Sequence, residues 1–132
     1  MENIIQATKL TKVYGEKETS VTALDNIDVQ FNENEFTAIM GPSGSGKSTL
    51  LHCLAGLDRP TSGQILLKDQ DISTLNDKQL TKIRRDSFGF VFQAFNLIPT
   101  LTAEENITLP ASIAGRKPDM DWIKQVVETV DI

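Results

Sequence analysis

The 132 residues suffice for one domain core, and the hydrophobic fraction of 39% and charged fraction of 23% are ordinary for a globular chain. The net charge of −5 and the pI near 4.8 argue against a basic surface for nucleic acid or anionic lipid. The single cysteine, Cys53, excludes an internal disulfide and fits a reducing, cytoplasmic setting. No apolar run is long enough for a signal peptide or a membrane span, so we expect any membrane-spanning part on another chain.

The first half of the sequence combines strand patterns with one helix. Residues Asn3–Leu10 predict a strand, and the alternation in "NIDVQF", residues 26–31, predicts a second, half-buried one. The continuous apolar run Phe36–Met40 predicts a strand that is buried on both faces. Leucines at helical spacing from Leu50 onward predict a helix that ends near Gly56.

The second half alternates strands with helices more regularly. "QILLKD", residues 64–69, predicts a strand, and a capping-box pattern at Asn76 predicts a helix that ends at about residue 85. Phe88–Phe92 predicts another buried strand. Thr102 and Asp119 mark the starts of two further helices. The pattern as a whole predicts an α/β fold with an irregular strand pair in front.

The stretch "GPSGSGKST" matches the phosphate-binding loop pattern G-x-x-x-x-G-K-[ST], between a predicted strand and a predicted helix. Its glycines let main-chain N–H groups approach a ligand and form an anion nest at the start of the helix. Lys47 supplies a mobile positive charge for the phosphates, and the Ser48 hydroxyl is a suitable Mg²⁺ ligand. A small polar surface loop is the alternative interpretation, but the flanking elements favour nucleotide phosphate binding. The candidate residues are Gly41, Ser43, Gly44, Ser45, Gly46, Lys47, Ser48 and Thr49.

Three segments together resemble the N-terminal part of the ATP-binding cassette (ABC) ATPases, over essentially the whole chain. In "VYG", Tyr14 occupies the position of that family's adenine-stacking aromatic residue. "MGPSGSGKSTLLHCLAGLDRPTSGQI" resembles the family's phosphate loop, helix and following strand. "FGFVFQAFNLIPTLTAEENITLP" resembles its glutamine loop, in which Gln93 would contact Mg²⁺ and water. Within the family, the sequence is most similar to exporters that release lipoproteins or extrude macrolides and antimicrobial peptides.

The resemblance implies a P-loop NTPase fold with a mainly parallel core sheet and an N-terminal antiparallel β subdomain. Residues 1–132 would form one incomplete nucleotide-binding domain. Residues 1–94 would hold the β subdomain and P-loop core, and residues 95–132 the glutamine loop and the start of a helical subdomain. The family's signature motif, its strand ending in Asp-Glu and its histidine switch do not occur, so we expect the chain to be the front half of a domain.

The implied function is the ATP-binding component of an ABC exporter. Lys47 and Gln93 are the candidate catalytic residues, and Ser48 and Gln93 the candidate Mg²⁺ ligands. We expect the chain alone to bind Mg-ATP but to hydrolyse it slowly, because hydrolysis requires a positioned water and charge stabilisation. A small-molecule kinase and a non-catalytic nucleotide-binding module stay open as alternatives.

The implied partners are a transmembrane permease subunit and a second nucleotide-binding domain, with no nucleic acid. The apolar residues within Phe95–Leu101 would contact the permease, although they could instead cover the edge of a core. The resemblance therefore implies a peripheral protein at the cytoplasmic face of the cell membrane. We also expect the isolated chain to self-associate through the strands at Phe36–Met40 and Phe88–Phe92, whose edges would lack partners.

Overall fold

A computed structural model describes residues 2–132. The chain forms two compact units, Met1–Arg84 and Arg85–Ile132. The sequence-based division at residues 94 and 95 stays a prediction. None of the helices in residues 2–132 combines the length and the apolar character that crossing a bilayer requires.

A four-stranded antiparallel sheet organises the first unit. Its order is β2-β1-β3-β4, with β1 (Asn3–Tyr14), β2 (Val21–Asn32), β3 (Ser62–Leu67) and β4 (Gln70–Asp71). In β1, the buried Ala7 lies opposite Val29 of β2 and Ile65 of β3. The strands predicted at these places are confirmed, and the first two are longer than predicted. The predicted irregularity is confirmed too, since the register of β1 against β2 shifts at several points and Lys9 takes a φ of 49°.

Four α-helices follow from local sequence signals. They are α1 (Lys47–Leu54), α2 (Asp77–Ser87), α3 (Ala103–Ile113) and α4 (Met120–Val130). The predicted capping box is confirmed, because Gln79 N–H donates to Asn76 Oδ1 at 2.9 Å and Asn76 N–H donates to Gln79 Oε1 at 3.0 Å. The predicted helix starts at Thr102 and Asp119 are also confirmed: both are N-cap residues, and each side chain accepts a hydrogen bond from the main-chain N–H of the third residue beyond it.

The hydrophobic core lies between the sheet, α1 and α2. Its buried cluster consists of Ala7, Leu10, Leu24, Cys53, Leu54, Ile65, Ile72 and Leu80. Cys53 is therefore a packing residue, and burial raises the pKa of its thiol to about 11. Leu75 packs against the same cluster just before the N-cap of α2, as expected for a hydrophobic staple.

The two apolar runs predicted as buried strands are not strands in this structure. Phe36–Met40 and Phe88–Phe92 have no regular secondary structure, and Phe36 and Val91 are 98% and 96% exposed. An extended segment becomes part of a sheet only when a neighbouring strand pairs with its main-chain N–H and C=O groups. Within residues 2–132 neither segment has such a neighbour, so the predicted mainly parallel sheet is not formed there.

The second unit consists of the last three residues of α2, the irregular chain after them, α3 and α4. Neither helix has a buried residue. A shallow apolar depression is lined by Ile107 of α3 and by Ile123 and Val127 of α4. Of the apolar residues of α4, Ile123 and Val127 are half-buried, whereas Val126 and Val130 are exposed.

Candidate nucleotide-binding site

The loop Gly41–Thr49 leads directly into α1, which begins at Lys47. Gly46 is the N-cap residue and has a φ of 90°, in the left-handed region that favours glycine. A Cβ at this position would lie 2.5 Å from the carbonyl oxygen of Ala23 in β2. Glycine at position 46 is therefore required twice, by the backbone angle and by the close approach of the loop to the sheet.

The first turn of α1 leaves hydrogen-bond donors free. Gly46 has no side chain to cap the helix, and within residues 2–132 the main-chain N–H groups of Lys47, Ser48 and Thr49 have no acceptor. The other three α-helices begin with Asn76, Thr102 and Asp119, whose side chains accept from the first turn. The first turn of α1 also contains no acidic residue. These donors and the positive end of the helix dipole together favour an anion.

The Lys47 side chain folds back over the loop. Its ammonium donates to the carbonyl oxygens of Gly41 and Pro42, both at 2.7 Å, and to Ser45 Oγ at 3.2 Å. Among residues 2–132 no carboxylate lies within ion-pair distance of this ammonium. Its charge is solvated by neutral oxygens only, so it stays available for a phosphate. Ser43 and Ser48 of the same segment are exposed.

Tyr14 ends β1 and is 42% exposed. Its hydroxyl donates to Asp58 Oδ2 at 2.6 Å. This hydrogen bond and partial burial raise the pKa of Tyr14, while the neighbouring Thr49 hydroxyl lowers it. The structure thus brings the predicted base-stacking residue next to the predicted phosphate loop.

Two further residues at Tyr14 were missed by the sequence analysis. Lys12 Nζ lies 4.8 Å from the centroid of the Tyr14 ring and 3.0 Å from Asp58 Oδ1. Lys12 could have been found, since residues two apart on a strand lie on the same face. Asp58 could not, because it is 44 residues away and nothing in the sequence pairs it with Tyr14.

Gln93 lies in the second unit, in exposed chain without regular secondary structure. Its role as a magnesium ligand together with Ser48 stays a prediction. Residues 2–132 contain no cluster of three or more His, Cys, Asp or Glu side chains arranged to hold a metal ion. The donor set predicted for Mg²⁺ consists instead of one hydroxyl and one amide oxygen, both hard ligands of the kind this ion takes beside phosphate oxygens.

The segment Phe95–Leu101 follows Gln93 and is organised by Asn106 of α3. The Asn106 side chain accepts from the N–H of Ile98 at 2.8 Å and donates to its carbonyl oxygen at 3.2 Å. The segment nevertheless presents apolar side chains to solvent, since Phe95 is 93% exposed and Leu97 is 67% exposed. The role of Asn106 was also missed, because no motif predicts an asparagine that holds a preceding loop.

The comparisons with known proteins agree with the motifs. A family model described as ABC transporter matches residues 24–132. The macrolide export ATP-binding/permease protein MacB of Marinobacter nauticus is 48% identical over 115 residues, which are 87% of this chain and 18% of that protein. The lipoprotein-releasing system ATP-binding protein LolD of Cytophaga hutchinsonii is 46% identical over 116 residues, 88% of this chain and 51% of that protein.

Solved structures give the same result for the fold. The dimeric MJ0796 ABC transporter cassette has a TM-score of 0.83 at 45% identity, over 94% of this chain and 54% of that one. A post-hydrolysis state of MJ0796 bound to ADP and Pi has a TM-score of 0.82 at 44% identity, over the same shares of the two chains. The MJ0796 protein comes from Methanocaldococcus jannaschii.

The match covers most of this chain but only part of its relatives. The chain spans 18% to 51% of the length of the MacB and LolD proteins just named. The family model nevertheless covers far more than half of the 132 residues, including the whole phosphate loop and Gln93. The resemblance inferred from the motifs is thereby confirmed, and so are the ABC cassette fold and the similarity to macrolide and lipoprotein exporters. The chain belongs to the ABC transporter family, among its ATP-binding proteins.

Proposed function

We propose that this chain binds Mg-ATP and forms the front part of the ATPase component of an ABC exporter. One observation supports this most strongly: the start of α1 has no side-chain cap, and it begins with a lysine that has no carboxylate partner among residues 2–132. Free N–H donors at a helix start beside a cation favour an anionic ligand, whereas the other three α-helices have side-chain caps at this position. A triphosphate satisfies both the donors and the cation.

Each part of the nucleotide has a candidate partner. The loop Gly41–Thr49 holds the phosphates through its N–H groups and through the Lys47 ammonium. Tyr14 stacks on the adenine. Ser48 and Gln93 are the residues that would hold Mg²⁺, and the bound ion would neutralise charge on the phosphate oxygens. In the complete protein, Gln93 would also orient the attacking water.

The residues beyond the site support a role in transport. The exposed apolar side chains of Phe95–Leu101 form a surface for a helix of a transmembrane permease subunit. The MacB and LolD relatives are named as parts of export and lipoprotein-releasing systems. Two nucleotide-binding domains would close on two Mg-ATP molecules at the cytoplasmic face of the membrane. We assign residues 1–94 to the β subdomain and P-loop core, and residues 95–132 to the glutamine loop and the start of the helical subdomain.

The test of binding is calorimetric titration of Mg-ATP into the chain. We expect Lys47→Ala to weaken binding about 10- to 150-fold, because a charge-assisted hydrogen bond contributes about 1.5–3 kcal/mol. Lys78→Ala is the matched control, since Lys78 is an exposed lysine in the first turn of the capped helix α2. Circular dichroism checks that both variants fold. Absence of binding heat for the folded wild type, or equal affinities for the two variants, would contradict the proposal.

The isolated chain of 132 residues is expected to bind nucleotide with little turnover. No apolar strand in it ends in the Asp-Glu pair that would polarise water, and no partner signature segment reaches the γ-phosphate. Release of inorganic phosphate is the measurement. Steady ATP turnover that disappears in Lys47→Ala would overturn this expectation, and a phosphorylated acceptor product would favour the kinase alternative.

Self-association of the isolated chain is expected from its exposed apolar segments. Phe36 and Met40 in the first unit and Val91 in the second are each about nine-tenths exposed or more. Sedimentation at increasing concentration measures the association, and Phe36→Ser should reduce it. A clean monomer at high concentration would count against this expectation.

A further inference from the structure

Asp58 joins two side chains that both act on the ring of Tyr14. Its Oδ2 accepts from the Tyr14 hydroxyl at 2.6 Å, and its Oδ1 accepts from Lys12 Nζ at 3.0 Å. The N–H of Arg59 also donates to Oδ1, at 2.8 Å. Both carboxylate oxygens are therefore engaged, and the carboxylate itself is held in place by its own main chain.

Lys12 is fixed at the same point. Besides its ion pair with Asp58, its ammonium donates to the carbonyl oxygen of Arg59 at 2.7 Å. It then lies 4.8 Å from the centroid of the Tyr14 ring, in the arrangement of a cation–π contact. Because the ammonium covers one face of the ring, a flat ligand can stack only on the opposite face.

These contacts restrict both the ring plane and the choice of its face. A tyrosine at a strand end would otherwise rotate about its side-chain bonds and would lose that freedom on binding a base. Here the rotation is already restricted in the free protein, because the hydroxyl is tied to Asp58. Tyr14 remains 42% exposed, so the residue is still accessible to a ligand.

We propose that Asp58 is a positioning residue for nucleotide binding, which with Lys12 holds Tyr14 so that the base stacks on the ring face opposite Lys12. This inference rests on the proposed function, since it takes Tyr14 as the adenine contact. The Tyr14 hydroxyl then serves an intramolecular role and is not needed to recognise the base. Substitutions at Asp58 should therefore weaken binding of the base and leave binding of the phosphates unchanged.

The experiment compares two magnesium complexes, Mg-ATP and magnesium tripolyphosphate, which lacks a base. We expect Asp58→Ala to weaken the binding of Mg-ATP about three- to tenfold, because the variant must order one side chain on binding. Its affinity for tripolyphosphate should stay within about twofold of the wild-type value. Asp58→Asn should lose less affinity for Mg-ATP, since its amide oxygen can still accept a hydrogen bond from the phenol. Asp77→Ala is the matched control, because Asp77 pairs with the adjacent Arg59 at 2.8 Å and has no contact with Tyr14.

A double-mutant cycle tests the route through the hydroxyl. Tyr14→Phe keeps the stacking ring but removes the donor, so we expect it to weaken Mg-ATP about as much as Asp58→Ala. The double variant should bind Mg-ATP no more weakly than Asp58→Ala, because Asp58→Ala already lacks the hydrogen bond that Tyr14→Phe removes. Additive losses would overturn the proposal, and so would equal losses for ATP and tripolyphosphate.

A spectroscopic readout follows Tyr14 directly, because it is the only tyrosine of the chain. Ultraviolet absorbance gives the pKa of its phenol, which the hydrogen bond to Asp58 raises. Asp58→Ala should lower this pKa, and an unchanged value would overturn the proposal. If the wild type bound Mg-ATP no more tightly than magnesium tripolyphosphate, Tyr14 would not contact the base, and both the proposed adenine site and the positioning role would be wrong. If instead Asp58→Ala kept the wild-type preference for Mg-ATP, only the positioning role of Asp58 would be wrong.

Discussion

The two units of the chain use the same local signals but differ in what they bury. Across the described residues, every buried apolar side chain lies in Met1–Arg84 and none lies in Arg85–Ile132. Helices in both units nevertheless begin with side-chain caps, such as Asn76 in the first and Thr102 in the second. A cap requires only neighbouring residues, whereas burial requires a second apolar surface. The comparison therefore separates what a local sequence determines from what packing must supply.

The largest expected effect is in the core of the first unit. Leu10 is fully buried, whereas Leu97 in the second unit is 67% exposed. Leu10→Ala should lower the free energy of unfolding by about 2–5 kcal/mol, because it removes buried carbon atoms and leaves a cavity. Leu97→Ala should change it by less than about 0.5 kcal/mol. Urea denaturation, followed by circular dichroism, measures both.

The control for this pair is built into the substitution, since both variants remove the same atoms. Equal losses would mean that the second unit buries Leu97 in solution, and the contrast between the units would disappear. A loss of stability only in Leu10→Ala would support the contrast between the units.

The next effect concerns two glycines, one in each unit. Gly46 has a φ of 90°, and a Cβ there would lie 2.5 Å from the Ala23 carbonyl oxygen, whereas Gly89 has no atom within 4 Å of the corresponding position. Gly46→Ala should cost about 1–3 kcal/mol of stability, because alanine must adopt a strained backbone conformation or displace the sheet. Gly89→Ala should be nearly neutral. Thermal unfolding gives the difference, and comparable midpoints for the two variants would refute it.

A smaller effect is expected from removing a helix cap, and each unit contains one residue that can report its unfolding. The only cysteine, Cys53, lies in the first unit, and the only tryptophan, Trp122, lies in the second. The main-chain N–H of Trp122 donates to Oδ1 of the N-cap residue Asp119 at 3.0 Å. Asp119→Ala should therefore destabilise α4 by about 1 kcal/mol. Trp122 fluorescence should then change at lower urea concentration, while thiol labelling of Cys53 should not shift.

The matching substitution in the first unit is Asn76→Ala, which breaks the capping box of α2. It should shift the labelling of Cys53, because Leu80 of α2 packs in the same cluster. If either cap variant moved both probes equally, the chain would unfold as one cooperative unit.

The same contrast explains which predictions from the sequence succeeded. The caps at Asn76 and Thr102 and the helix after the glycine loop were predictable, since each depends on residues within one or two turns. The strands at Phe36–Met40 and Phe88–Phe92 were predicted from apolar composition alone. They fail in the described residues because a strand exists only with a paired neighbour, and no periodicity within the segment reports whether that neighbour is present.

The candidate site divides in the same way. The phosphate loop was predictable residue by residue, because its function resides in a contiguous backbone conformation. The contact of Asp58 with Tyr14 was not, since it depends on where the loop after α1 lies against the end of β1. A hydrogen bond between residues 44 positions apart is a result of the tertiary fold and leaves no local signal.

The smallest expected effect is the pH dependence that this pair gives to the first unit. The hydrogen bond from Tyr14 lowers the pKa of Asp58, and the ion pair with Lys12 lowers it further. Because the folded-state pKa is below the unfolded value of about 3.9, the contribution is present above that pH. It is lost as the pH falls through the folded-state pKa. Tyr14 has the opposite sign, since its pKa is raised. Its contribution is present below about pH 10 and is lost as the pH rises through the folded-state value.

The pair should therefore stabilise the first unit over a plateau from about pH 4 to about pH 10. Both side chains are partly exposed, so the contribution should not exceed about 1 kcal/mol. Urea denaturation followed by circular dichroism, at pH values on either side of the acid limit, measures it in wild type and in Asp58→Ala. Subtracting the variant removes the acid titration of the other carboxylates, including Asp71, whose pKa is also lowered. A wild-type curve parallel to that of the variant would show that the Tyr14–Asp58 hydrogen bond stabilises neither unit, and its importance would then lie in ligand binding alone.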